Sequence, residues 1–364
     1  MTVNEIAQVI EELAPLDYAE DFDNVGLLVG NKNAEVHGVL VTLDTLENVV
    51  EEAILHQCNL IVSFHPILFN GLKKITGKNY VERVILKAIQ NNISIYAIHT
   101  ALDNCFGGVN AKICETLGLT NNKILIPQEG SIKKLTTYVP VEEASPLKDK
   151  LFQAGAGNIG NYSDCSFSVE GMGSYKADQE ANPTRGKIGK THLEKETLIS
   201  VTFPKHREIA VIQALLENHS YEEVAYEIMT LENKNQQIGM GMIGTLKKPM
   251  TETNFLNHLK KSMNTEMVRH SKLLGKSIQK VAVLGGSGAF AIGNAKAAGA
   301  DIFVTADVKY HQFYEAENQL VIADIGHFET EQFTKNLLVD YLTKKIPNFA
   351  IRLSESITNP IKYF

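Results

Sequence analysis

The chain has 364 residues, of which 44% are hydrophobic and 21% charged, a composition that is ordinary for a soluble globular protein of about two domains. A formal net charge of −7 excludes the broad basic surface that binds a nucleic-acid duplex or an anionic membrane, so neither partner is expected. The four cysteines contain no Cys-x-x-Cys pair, which excludes a zinc ribbon and a thioredoxin-type motif.

The N-terminal segment predicts a helix and no export signal. Residues 3–13 carry apolar side chains at helical spacing, and no basic region followed by an apolar core precedes them, so the segment is not a signal peptide. No apolar stretch approaches the roughly 18 to 20 residues that a membrane-spanning helix needs. Together with widely spaced cysteines, which suit reduced thiols, these features predict a cytoplasmic protein.

The first third of the chain alternates between strands and helices. Apolar runs and helical periodicity predict strands at residues 36–43, 59–64 and 93–98, and helices at residues 46–56, 80–91 and 109–117. This alternation is typical of an α/β domain with a largely parallel or mixed sheet.

Residues 128–237 predict a separate module. The pattern there gives strands at residues 133–140, 162–171, 197–204 and 225–232, and helices at residues 146–155 and 207–219. The resulting β-α-β-β-α-β order is the ferredoxin-like arrangement. A length of about 110 residues lies within the usual range for a domain, so the module is predicted to be an insertion that folds by itself.

The α/β pattern resumes after this module. Strands are predicted at residues 281–284, 301–305 and 320–324, and helices at residues 290–298, 310–318 and 329–344. The predicted fold class is therefore α/β: a discontinuous core of mixed sheets, formed by residues 1–127 and 238–364, is interrupted by the ferredoxin-like insert at residues 128–237.

Five side chains of the metal-ligand type follow directly after predicted strands: His65, His99, Asp103, His327 and Glu331. Since binding sites in such sheets lie at the carboxyl ends of the strands, we expect these side chains to share one sheet edge. His99 and Asp103 are four residues apart, as are His327 and Glu331, and this spacing places each pair on one helix face. A lone histidine there is more often structural, but five such residues together favour a zinc, iron, manganese or cobalt site.

Two patterns allow other interpretations. Residues 286–291 read G-x-G-x-x-A between a predicted strand and helix, and Asp307 follows about 20 residues later, as in a dinucleotide-binding fingerprint. We favour a tight turn, because a dinucleotide site leaves the metal-ligand pairs unexplained, although the loop could also hold a substrate phosphate. Asp23 and Asn24 could form an edge of the site, but their sequence context is typical of a turn.

The motifs occur in the order DNVGLLVG, VTLD, SFHPILF, HTALDN, GGSGAF, TADVKYH and DIGHFETEQF. In this order they resemble the Nif-three-like family (NGG-one interacting factor three), whose members are often labelled GTP cyclohydrolase type two. The resemblance covers essentially the whole chain, and residues 128–237 resemble the PII-like insert of the longer bacterial members. It implies a dinuclear metal centre and a toroidal homohexamer.

The resemblance places the ligands of two divalent ions per chain on four residues: His65, Asp103, His327 and Glu331. The family usually has another histidine where this chain has Phe64, so one ion loses an imidazole. Either that ion binds more weakly, or His99 or water completes its shell.

Other matched positions lie beside the implied metal centre. Asp307 and His311 resemble residues that the family places there, and we expect them to support the ligands or to transfer protons. A general base for hydrolysis could be His99 or His311.

Three classes of function remain open. The first is a metal-dependent hydrolase that acts on a nucleotide, as in GTP ring opening, with two ions activating water. The second is a regulatory protein whose PII-like module senses a small molecule, and the third is a metal-handling chaperone. Structural metal sites are normally coordinatively closed, so a site that is short of a ligand favours catalysis.

Overall fold

The computed structural model describes residues 1–364, which divide into two compact units. The first unit, called the core, contains Met1–Pro127 and Gln236–Phe364, and the second, called the insert, contains Gln128–Asn235. The core holds two mixed sheets, of five and six strands, and the insert holds one sheet of four strands. The predicted mixed α/β fold with several sheets is confirmed. No helix in the structure has the length and apolarity to cross a membrane.

Eleven α-helices form along the chain: α1 (Val3–Leu13), α2 (Glu47–Leu55), α3 (Tyr80–Gln90), α4 (His99–Asp103), α5 (Val109–Thr116), α6 (Ala144–Gln153), α7 (Glu208–Asn218), α8 (Glu252–Ser262), α9 (Ile292–Ala297), α10 (His327–Glu331) and α11 (Thr334–Lys345). Fifteen strands accompany them: β1 (Gly26–Val29), β2 (Val39–Thr42), β3 (Leu60–Ser63), β4 (Ser94–Ala97), β5 (Leu119–Gln128), β6 (Ile132–Pro140), β7 (Phe167–Lys176), β8 (Thr191–Pro204), β9 (Tyr226–Leu231), β10 (Asn235–Thr251), β11 (Arg269–His270), β12 (Ser277–Ser287), β13 (Ile302–Ala306), β14 (Val321–Asp324) and β15 (Ile351–Leu353).

The first sheet of the core has the order β1-β4-β3-β2-β15. Its strands β2, β3 and β4 are parallel, and every residue in them is buried. Parallel strands that are covered on both faces are apolar throughout, which explains why the sequence shows them as unbroken apolar runs. Because these three strands run in one direction, the residues that follow them meet at one edge.

The second sheet of the core has the order β11-β14-β13-β12-β10-β5. Strands β12, β13 and β14 are again parallel, whereas β10 and β11 run antiparallel to their neighbours. The chain leaves β13 just before Asp307 and leaves β14 just before α10. This sheet therefore offers a second edge at which strand ends gather.

The expectation that all five ligand-type residues share one sheet edge is wrong. His65 and His99 follow strands of the first sheet, whereas His327 follows a strand of the second. Hydrophobic periodicity identifies strands but does not show which strands pair, so the sequence could not separate two sheets with the same alternation.

The insert contains one antiparallel sheet of order β7-β8-β6-β9. Along the chain its elements follow the order β6-α6-β7-β8-α7-β9. Its own core joins buried side chains of the sheet, such as Leu135 and Ile199, with Leu151 of α6 and Leu215 of α7. The likeness of this unit to a PII protein stays a prediction.

Candidate metal centre

The candidate site lies where parallel strands of both core sheets end. His65 is the second residue after β3, and His99 begins α4 shortly after β4. His327 begins α10 shortly after β14, and Glu331 ends the same short helix. The predicted placement of an imidazole and a carboxylate on one helix face thus agrees with the observed helix.

Three of these side chains converge most closely. One ligand atom from each of His65, His327 and Glu331 lies within 4.8 Å of the other two, as in a site that could hold a metal ion. Nε2 of His65 lies 3.1 Å from Oε2 of Glu331, and Nε2 of His327 lies 3.3 Å from the same oxygen. The Glu331 side chain is only 3% exposed, so this meeting point is inside the protein.

Two carboxylate oxygens at this point have no hydrogen-bond partner. Oε2 of Glu331 has only the ion-pair contacts with the two imidazoles, and Oδ1 of Asp103 is buried with no partner. An unpaired buried carboxylate oxygen is costly, and a cation between the groups would relieve that cost. Two imidazole nitrogens and two carboxylates also form a donor set that suits a divalent transition metal. These residues therefore fit the metal that the sequence resemblance implies.

Protonated imidazoles supply positive charge in the absence of a metal. Burial alone lowers the pKa of His65, but Asp44 and Glu331 outweigh it and raise that pKa to about 10. Burial likewise lowers the pKa of His327, but its contacts with Glu331 and Asp307 outweigh this effect and raise that pKa to about 9. Burial raises the pKa of Glu331, whereas the two imidazoles lower it to about 2. A metal ion that binds here must displace these protons.

Asp103 differs from the other carboxylates. Burial, followed by the negative charge of Glu331, holds the pKa of the Asp103 carboxyl well above its usual range. The residue lines the same cavity as Glu331 but lies outside the closest group of three. Its role as a ligand stays a prediction.

Each of the three histidines at the site donates its Nδ1–H to an aspartate. The Nδ1 atoms of His65, His99 and His327 lie 2.8, 2.8 and 2.6 Å from carboxylate oxygens of Asp44, Asp23 and Asp307, in that order. An ionised carboxylate only accepts hydrogen bonds, so in the neutral imidazole the proton is on Nδ1 and the lone pair is on Nε2. Carboxylate–histidine pairs of this kind are the usual support of metal-binding imidazoles.

Of these aspartates, Asp44 was missed as a functional residue, and for Asp23 the functional interpretation was the less favoured of two. Asp44 follows β2 and also accepts a hydrogen bond from Thr358 Oγ1. Its position after a strand, in the motif VTLD, was the available signal. Asp23 was expected to be either an edge of the site or, more simply, a turn residue, and its fully buried side chain accepts hydrogen bonds from His99 and Thr100. Burial raises the pKa of Asp23, yet these hydrogen bonds lower it to about 2, so the carboxylate stays charged.

The two residues that were expected beside the centre lie in different surroundings. Asp307 accepts hydrogen bonds from His327 and from Ser287, so it is next to a candidate ligand. His311 is exposed, and its ring contacts those of Tyr310 and Tyr314. His311 does not line the cavity at the site, and its proposed proton-transfer role stays a prediction.

Phe64 is completely buried in the core. Its ring centroid lies 4.9 Å from that of His65 and 5.5 Å from that of His99. A phenyl ring at this position supplies no ligand atom. The His99 ring is 5.2 Å from the His65 ring but is outside the closest group of three.

The glycine-rich segment before Ala289 packs against the ligands. A Cβ atom on Gly286 would lie 2.4 Å from Oε1 of Glu331, and the backbone N–H of Gly286 donates to Thr330 Oγ1. The absence of a side chain here therefore allows the close approach of the Glu331 carboxylate. This contact explains why residue 286 is a glycine without requiring a bound dinucleotide.

A cavity of about 230 Å³ opens beside these groups. Its ionisable lining residues are His99, Asp103, His327 and Glu331. Other polar residues and four large apolar side chains complete most of the lining: Thr100, Asn110, Ser287, Phe22, Met240, Leu284 and Phe290. Neither lysine nor arginine lines it. The cavity therefore combines candidate ligands with aromatic walls and lacks fixed positive charge.

The chain is similar to one set of proteins over its whole length. The family model described as Duf34/NIF3 (NGG1p interacting factor 3) matches residues 1–360. A Bacillus subtilis (strain 168) protein named GTP cyclohydrolase 1 type 2 homolog is 38% identical, over 99% of this chain and 98% of that relative. A Staphylococcus epidermidis protein of the same name is 35% identical, over 100% of both chains.

Solved structures show the same likeness. A Bacillus cereus protein described as related to NIF3 matches with a TM-score of 0.89 and 37% identity, over 100% of this chain and 99% of that one. A Staphylococcus aureus protein matches with a TM-score of 0.79 and 29% identity, again over 100% and 99%.

Proposed function

The chain belongs to the Duf34/NIF3 family, and from this membership we propose that it is a divalent-metal-dependent hydrolase that acts on a nucleotide. The observation that carries the proposal is the convergence of two imidazole Nε2 atoms on a buried, unpartnered oxygen of Glu331. The name GTP cyclohydrolase 1 type 2 homolog, which is given to the relatives, supports a nucleotide as the substrate.

We assign two zinc, iron or manganese ions per chain to four ligands: His65, Asp103, His327 and Glu331. Such ions, when bound, supply Lewis acidity and activate water near neutral pH. Asp44 and Asp307 hold the two imidazoles so that Nε2 faces the ligand cluster. The protein's contribution here is to orient the donors before the ions arrive.

The general base in this proposal is His99. Asp23 binds its Nδ1–H, which leaves Nε2 as the atom that can accept a proton from water. His99 has an unusual backbone conformation, with φ of +21°, and such strain is typical of functional positions. Because the Asp23 carboxylate stays charged, it also stabilises the imidazolium that forms when His99 accepts a proton.

The apolar walls of the cavity suit a planar base. Phe22 and Phe290 are 65% and 60% exposed and lie at its border, so a heterocycle could stack on either ring. Since neither lysine nor arginine lines the cavity, the charge of a nucleotide phosphate would have to be balanced by the ions.

A binding protein without turnover, in regulation or metal handling, is the second candidate. Phe64 supports it, because the missing imidazole would leave one ion weakly held and easily passed on. We further propose a cytoplasmic homohexamer of toroidal shape, as the family resemblance implies.

Metal analysis of the untagged protein, followed by a nucleotide-hydrolysis screen with the metal that is found, tests the proposal. Glu331→Gln should lose both metal and hydrolysis, whereas His99→Gln should keep the metal and lose hydrolysis. Glu315→Gln, which changes an exposed residue without ligand contacts, is the control and should keep both. Metal binding without turnover of any nucleotide would favour the second candidate, and no metal after reconstitution would reject both.

A further inference from the structure

The insert contains a second cavity, of about 550 Å³. This volume is within the range of small-molecule sites. Tyr138 of β6, Tyr175 of β7, Glu196 of β8 and Tyr221 after α7 line it. None of these residues belongs to the metal centre, and the family resemblance assigned no ligand to this unit.

Glu196 is a buried carboxylate without a positive partner. The residue is 9% exposed, and its Oε1 accepts a hydrogen bond of 2.7 Å from the Tyr221 hydroxyl. No ion pair includes Glu196, because the nearby Arg185 is engaged by Glu142, Glu143 and Glu194. Buried carboxylates are normally paired with a cation, and this one has no such partner within the protein, so a cationic ligand could pair with it.

A glycine makes room for this carboxylate. A Cβ atom on Gly173 of β7 would lie 2.0 Å from Oε2 of Glu196, so only glycine allows that oxygen its observed position. Oε1 is occupied by Tyr221. Oε2 is therefore the atom left to meet a ligand in the cavity.

The rest of the lining also suits an organic cation. The rings of Tyr175 and Tyr221 lie 5.9 Å apart at 65° and form an aromatic wall beside Glu196. Around the cavity, the exposed acidic side chains of Asp178, Glu222 and Glu223 outnumber the single cation, that of Lys176. Aromatic faces attract ammonium groups and cover methylene chains. The buried carboxylate of Glu196 and the exposed carboxylates at the rim could each pair with a separate positive charge.

From this arrangement we propose that the insert binds an aliphatic diamine or polyamine. One ammonium group pairs with Glu196, the methylene chain lies on the tyrosine rings, and a second ammonium group meets the acidic rim. A divalent metal ion fits less well, because hard cations require several oxygen ligands around one point. An anionic ligand would be repelled by the excess of carboxylates.

Isothermal titration of the full-length protein with spermidine tests this proposal. We expect saturable binding of one spermidine per chain, no binding of the neutral 1,8-octanediol, and no displacement of spermidine by Mg²⁺ at matched ionic strength. Glu196→Gln keeps the shape of the side chain and should weaken binding at least tenfold. Glu217→Gln, which changes an exposed residue of α7 away from the cavity, should bind as the wild type does.

A second variant protects the test against misfolding. If Glu196→Gln unfolds, the doubly substituted Glu222→Gln/Glu223→Gln protein changes only exposed rim residues and should still weaken spermidine binding several-fold. Non-saturable binding, equal displacement by Mg²⁺, or equal weakening by Glu217→Gln would each overturn the proposal in favour of general charge attraction.

Discussion

Three imidazoles at the candidate metal centre each donate a hydrogen bond to an aspartate, and these contacts predict the effects of single substitutions. Each aspartate fixes the ring orientation and leaves Nε2 directed to the site. Loss of such a supporting carboxylate typically costs about 10–100-fold in metal affinity or activity. Asp44 and Asp307 therefore should matter nearly as much as the candidate ligands His65 and His327, and Asp23 nearly as much as the proposed base His99.

Phe64→His is the most informative single substitution. In the wild type we expect one tight ion, held by His65, Asp103 and Glu331, and one weaker ion that relies on His327. The variant should equalise the two affinities if the new imidazole reaches the centre. Calorimetric titration of metal-free protein with Zn²⁺ measures both affinities.

The same variant should also change stability. Because Phe64 is completely buried, an imidazole without a partner there should lower the free energy of unfolding by about 1–3 kcal/mol, and Zn²⁺ should restore it. Phe64→Leu is the control that stays apolar and gains no metal affinity. Two equivalent tight sites in the wild type, unchanged in Phe64→His, would mean that another group such as His99 already fills the gap.

Local sequence patterns were enough to predict the three histidines and Glu331 as site residues, but not most of the aspartates that bind those histidines. A histidine after an apolar strand is visible in the sequence, and a spacing of four residues predicts a shared helix face. Asp23 meets His99, and Asp44 meets His65, only after distant segments have packed together. Periodicity contains no information about such contacts, so a turn was favoured over a site role for Asp23, and Asp44 was given no role.

The last segment of the chain donates hydrogen bonds to residues beside the candidate metal centre. After β15, Thr358 Oγ1 donates to Asp44 Oδ2 at 2.6 Å, while Asp44 Oδ1 accepts from His65. Asn359 Nδ2 donates to Glu329 Oε1, on the helix that carries Glu331. Residues without regular secondary structure thus hold groups on both sides of the site.

Thr358→Val removes one of these hydrogen bonds without changing the volume of the side chain much. We expect metal affinity to fall by less than about tenfold, below the usual effect of a direct supporting carboxylate, because Asp44 remains but is less firmly held. Competition with a chelating dye measures the change. Ile357→Ala is the matched control, since Ile357 is 74% exposed, and an equal effect of both variants would contradict the assignment.

Deletion of the insert tests whether the two units fold independently. The insert has its own buried core, and it begins and ends at β5 and β10, which are neighbours in one sheet. A short Gly/Ser join in place of residues 128–237 should therefore leave a soluble, metal-binding core. An insoluble or metal-free product, with the full chain well behaved, would argue against this boundary.

Secondary structure was predicted best where helices are amphipathic and strands are buried. The predicted helix at residues 3–13 coincides with α1, whose Thr2 and Glu5 form a capping box. The long strand β10 and helix α8 were not predicted. The predicted helix at residues 329–344 is instead interrupted, since α10 ends at Glu331 and α11 begins at Thr334. That interruption lies at the candidate metal centre, and departures from local helical preference are expected at functional sites.

At the scale of the whole molecule we predict a homohexamer. Strand β7 lies at an edge of the insert sheet, and its Phe167, Val169 and Met172 side chains are 70%, 50% and 60% exposed. Native proteins rarely leave an apolar edge strand exposed, and exposed apolar patches mark interaction sites, so we expect another chain to cover this strand. Light scattering after size exclusion should give six times the 40.2 kDa of one chain, and a mass of one or two chains at micromolar concentration would contradict the prediction.

Because the residues of the site come from two sheets formed by distant parts of the chain, the site can be completed only late in protein synthesis. His65 and Asp103 leave the ribosome first, and the whole insert is translated before β14 and α10. Contacts between the first two residues and those of α10 span a long separation in sequence, so they form slowly and only after α10 has been synthesised. A nascent chain therefore holds only half of the proposed ligand set, and the proposed site could capture an ion firmly only after translation has passed Glu331. Under the proposed metal dependence, the metal that occupies the finished protein would depend on the ions available after synthesis, since affinity alone selects poorly among them.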